Sequence, residues 1–100
     1  MMQSDGVVRR LLAEAIDRWG DDRQMIECCE KLGTLIQAIC RRFDKGPGAD
    51  DAGAGEAIVE GMVEVEIMLE QLRMILNVDP ATEKRWTERK LRNLMLRLGG

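Results

Sequence analysis

Apolar residues recur at spacings of three and four along most of the chain, which is the period of a helix that buries one stripe. Val8, Leu11, Leu12, Ala15, Ile16 and Trp19 form the first stripe, with Ser4 or Asp5 before it as a cap and Gly20 after it as a stop. Asp21 or Asp22 then caps a second helix, in which Met25, Cys28, Cys29, Leu32, Leu35, Ile36, Ile39 and Phe43 continue the pattern to about Asp44. The segment from Lys45 to Gly55, KGPGADDAGAG, is rich in glycine and predicts a connecting loop, since the chain on either side is too short to fold alone.

A third helix is predicted from about Ala54 to Asn77. Ile58, Met62, Val65, Leu69, Leu72 and Leu76 lie on one face, and Val59, Val63, Ile67 and Met74 widen it. So broad an apolar surface implies contact with more than one neighbouring helix. Pro80 breaks this helix and sits at the first position of a fourth, with Asp79 as its cap and Leu91, Leu94, Met95 and Leu98 as its apolar face. The pattern therefore predicts an all-α chain of four helices, a single domain over residues 1–100, completed by dimerisation because a lone small bundle would leave apolar surface in water.

Composition sharpens this picture. The chain has 100 residues, three aromatics and seven methionines, so its core must be aliphatic and thioether. The formal net charge of −3 is unevenly spread. Residues 1–43 carry 7 basic and 7 acidic groups, 44–79 carry 2 and 9, and 80–100 carry 6 and 2. The acidic middle repels polyanions, and the basic KRWTERKLR at 84–92 reads as a solvated helix face, so no direct nucleic-acid binding is expected. Asp50, Asp51 and Glu56 are the acidic candidates for steering a positively charged partner.

There is no histidine and no C-x-x-C among Cys28, Cys29 and Cys40, which gives a zinc site no support. Cys29 and Cys40 share a helix and would lie about 16 Å apart along it, beyond disulfide reach. Free, reduced cysteines, the lack of a leader-like segment at the start and the lack of a membrane-length apolar run lead us to expect a soluble, cytoplasmic protein.

Three short motifs carry a family resemblance. They are W-G-x-x-x-Q at Trp19, Gly20 and Gln24, L-I-x-A-I at Leu35, Ile36, Ala38 and Ile39, and E-V-E-I-M-L-E-Q-L from Glu64 to Leu72. With the glycine-rich connector, they make residues 8–98 resemble the all-α MazG-like nucleoside triphosphate pyrophosphohydrolases. That resemblance implies an E-E-x-x-E on the second helix and an E-x-x-D on the third, holding Mg²⁺ to cleave a nucleoside triphosphate to monophosphate and pyrophosphate. A hard dication needs oxygen ligands, and several carboxylates must clamp it with the triphosphate before water can attack.

Aligned on Gln24 and Leu35, the four usual ligand positions here are Lys31, Thr34, Gly61 and Glu64. Their charges sum to zero, and a fixed ammonium opposes a divalent cation. A second alignment, shifted by one helical turn, would pair Glu27 and Glu30 with Glu60 and Glu64 and restore four acids, although it breaks the spacing to both neighbouring motifs. The primary expectation is a catalytically degenerate MazG-like protein without a cofactor, a small acidic phage-encoded inhibitor or regulator. Its expected partners are a second copy and a protein target, such as one that handles nucleic acid. The alternative is a Mg²⁺-dependent nucleoside triphosphate pyrophosphatase working through Glu27, Glu30, Glu60 and Glu64.

Overall fold

Four helices follow one another in the computed structural model, which describes residues 6–44 and 51–99, with side chains described for 6–44 and 53–99. They are α1 (Gly6–Trp19), α2 (Asp21–Asp44), α3 (Asp51–Ile75) and α4 (Pro80–Leu98), and no strand occurs among the described residues. The expected caps Ser4 and Asp5 lie outside the described residues.

The α1–α2 turn is set by Gly20, whose φ of 87° is open to glycine and costly for other residues. Its N–H donates to the Ile16 carbonyl at 2.8 Å, and its own carbonyl accepts from Gln24 N–H at 3.1 Å, so one residue ends α1 and starts α2. Asn77, at φ 50°, does the same for α3. Asn77 N–H donates to Met74 O and Val78 N–H to Arg73 O at 3.0 Å, the paired bonds of a left-handed helix cap. Asp79 then accepts from Ala81 N–H at 3.1 Å, with Pro80 in the first turn of α4, as the sequence predicts.

One boundary differs from expectation. The helix α3 begins at Asp51, three residues before the predicted start, and runs through Gly53 and Gly55. Glycine lowers helix propensity without forbidding it, and here the alanines beside both glycines keep the segment helical. The connector is correspondingly shorter than the 45–55 loop read from the sequence.

The helices α2 and α3 pair as an antiparallel hairpin, and α1 contacts both of them, with Ala13, Ile16 and Asp17 beside Asp21, Met74 and Ile75. The core is small: Leu12, Cys28, Ala38, Val65 and Met68 are its buried apolar residues. Within the protomer, α4 packs against none of the other helices among the described residues. Its tie to them is Arg73 of α3, whose guanidinium meets Glu83 at 2.8 Å and Glu70 at 3.1 Å. Those two carboxylates raise the Arg73 pKa further above the guanidinium range. No helix among the described residues is long and apolar enough to cross a membrane.

Candidate functional site

The four positions selected through Gln24 and Leu35 lie in the middle of the α2–α3 hairpin, which pairs Lys31 with Glu64 and sets Gly61 against Leu35. Gly61 faces Leu35 so closely that a Cβ there would lie 3.1 Å from Leu35 Cδ1 and 3.3 Å from its Cα. One turn away, Lys31 Nζ and Glu64 Oε2 are 2.7 Å apart. Thr34 turns back on its own helix, its hydroxyl donating to the Glu30 carbonyl at 3.1 Å. Where the family resemblance implies clustered carboxylates, this hairpin has a close backbone approach and an ion pair.

Lys31 also links the two alignments. Its pKa is raised first by the hydrogen bond and charge of Glu64 and then by the charges of Glu27 and Glu30. Three of the four acids of the shifted alignment therefore act on one ammonium, while Glu60 is exposed on α3. Glu27 also accepts from Gln24 Nε2 at 3.3 Å. Among the described residues, no three histidine, cysteine or acidic side chains converge as a metal-holding group.

Two buried glutamines extend the hairpin's polar interior. Gln24 and Gln71 are each only 3% exposed, and the Gln71 side-chain oxygen has no hydrogen-bond partner. Both belong to the motifs of the resemblance, yet single-sequence reading treats glutamine as surface and gives no sign that these two are inside. A hollow of about 270 Å³ lined by Trp19, Arg23, Gln24 and Glu27 opens beside the first of them.

The remaining candidates are scattered. Cys28 is buried, and burial and the neighbouring Cys29 push its thiol pKa up, which keeps it protonated and inert. Cys29 and Cys40 are free and exposed, so of the three cysteines only Cys28 packs in the core. Glu56 is exposed near the start of α3, while Asp50 and the Asp51 side chain lie outside the described residues. On α4, Arg89 and Lys90 stack on Trp86, 5.4 and 5.7 Å from the ring centre, within an exposed basic face.

The geometry defines an all-α chain whose central hairpin holds a lysine among glutamates. Compared with family models, curated proteins and solved structures, the chain matches none.

Proposed function

We propose that this chain is a MazG-like helical protein that has lost the family's metal-dependent chemistry and acts, as a homodimer, by binding another protein. The observation that carries this reading is the Lys31–Glu64 pair at 2.7 Å, seated where the resemblance implies metal ligands. A tethered ammonium supplies the positive charge that the acids would otherwise seek from a cation, and it leaves with neither substrate nor product. At Gly61, where the resemblance implies a second carboxylate, the chain has no side chain and Leu35 packs close against the backbone. The acidic 44–79 segment suits a basic target, such as a protein that handles nucleic acid, in the manner of a small regulator or inhibitor.

The enzyme alternative draws on one observation: Glu27, Glu30 and Glu64 all act by charge on Lys31, although the three do not converge as a metal-holding group. Titration with Mg²⁺ and Mn²⁺ by calorimetry, together with pyrophosphate release from a panel of canonical and modified triphosphates, separates the two. We expect neither binding nor turnover. Tight metal binding by the natural chain, abolished by Glu27→Gln or Glu60→Gln, would instead establish the pyrophosphatase.

A further inference from the structure

The unpartnered fourth helix demands an occupant. It extends for 19 residues, and from Pro80 to Gly99 only Thr82 is even half-buried. Isolated helices of this length are marginal in water, and in folded proteins it is packing of the apolar face that stabilises them. Leu91, Leu94 and Leu98 fall on one side of α4, at 58%, 40% and 79% exposure, and touch no other helix.

A matching bare surface lies on the hairpin. Turning about 100° per residue from the Leu35–Gly61 contact places Ile36 and Phe43 of α2 and Met62 of α3 on the same flank, opposite the flank that carries Lys31 and Glu64. These three are 60%, 77% and 53% exposed. Ile36 to Phe43 and Leu91 to Leu98 each span seven residues, about 10 Å of helix, so the two stripes have the same length.

We propose that α4 is an exchanged arm. In the homodimer, Leu91, Leu94 and Leu98 of each copy cover Ile36, Phe43 and Met62 of the other, by a twofold reciprocal contact. This inference rests on the homodimer of the proposed function and adds which surfaces form it. Two observations select a second copy as the occupant. The chain exposes 7985 Å², whereas a compact monomer of 11.3 kDa exposes about 5,700 Å². The excess of about 2,000 Å² per protomer is on the scale that obligate homodimers bury. Charge chooses the pairing: 80–100 is net +4, while α2 is net −1 and α3 net −5, so arm on hairpin attracts, whereas arm on arm sets like charges together. The contact leaves Lys31 and Glu64 uncovered and turns Arg85 and Arg89 of α4 outward.

The test is complementation. Sedimentation should show a dimer for the natural chain and for Leu96→Glu, which lies on the opposite side of α4. The double variant Leu91→Glu/Leu94→Glu, altered where the protomer makes no contact, should keep the circular dichroism of α1–α3, with its dimer dissociation constant raised by about 100-fold or more. Ile36→Glu/Met62→Glu should behave alike. Mixing the two double variants should restore a heterodimer, because one arm and one flank remain intact between them. A natural chain that stays monomeric at high micromolar concentration would overturn both this inference and the dimer it rests on. A natural dimer that survives Leu91→Glu/Leu94→Glu, or two monomeric variants that fail to complement, would overturn the exchanged arm while leaving the dimer standing.

Discussion

At Gly61 two forces oppose each other. Replacing a helical glycine with alanine normally gains about 1 kcal/mol of helix stability, and from sequence alone Gly61 reads as such a defect. Leu35 makes it a close-approach position instead, because a Cβ would lie 3.1 Å from Leu35 Cδ1 and 3.3 Å from its Cα, so α2 must give by a few tenths of an ångström to admit it. Overpacking of this kind costs about 1–3 kcal/mol, enough to reverse the sign. Gly61→Ala should therefore lower the urea midpoint, and Leu35→Ala combined with it should give less than the sum of the two losses. A clear rise in midpoint would mean that α2 yields freely there.

The same contact bears on rebuilding the implied site with Lys31→Glu, Thr34→Glu, Gly61→Glu and Glu64→Asp. The facing of positions 31 and 64 was legible from motif spacing, and the 2.7 Å ion pair agrees with it. The tightness at Gly61 was not legible, because a glycine records the absence of a side chain but not what fills its place. The rebuilt chain should gain Mg²⁺ binding by calorimetry that the natural chain lacks, at reduced stability. Lys31 also sets a pH window. Its folded pKa is raised above the ordinary 10.5, so the pair's contribution is present at neutral pH and is lost as pH rises through that higher value. Thermal melts of the natural chain and of Lys31→Met should converge only in strongly alkaline buffer.

At the scale of elements, the turns that join the helices were readable because they depend on backbone conformation encoded in single residues. Gly20 with its positive φ and Asp79 with Pro80 each carry a local cause. The start of α3 was less readable, since Gly53 and Gly55 punctuate the sequence while the alanines beside them are strong enough helix formers to carry the helix through. The packing of α4 was least readable: an amphipathic pattern names the face to be covered but not the cover. Gly20→Ala should lower stability by about 1 kcal/mol, the cost of a side chain in the left-handed region, measurable as a shift in urea midpoint at unchanged slope. A neutral result would show that the α1–α2 turn relaxes to another geometry.

For the whole molecule, the uneven charge and the thin core lead in different directions. Charge governs encounter: if the target is basic, reversing Asp50, Asp51 and Glu56 should slow association more than it speeds release, and added salt should slow it too. An on-rate indifferent to salt would remove that steering. The thin core governs persistence. Among the described residues, five buried apolar side chains, none of them aromatic, contribute little against the conformational entropy of about ninety ordered residues. The radius of gyration, 16.7 Å, exceeds the value of about 13 Å for a compact chain of this length. A protomer so open should not hold its fold at high dilution, and its stability should become a property of protein concentration. Hundredfold dilution should then reduce the apparent unfolding free energy by about 2.7 kcal/mol and visibly lower the melting temperature. The measurement is a pair of circular dichroism melts at low and high micromolar concentration. Superimposable curves would mean that the protomer is stable by itself, and that its exposed leucines, Phe43 and Met62 serve a partner other than a second copy.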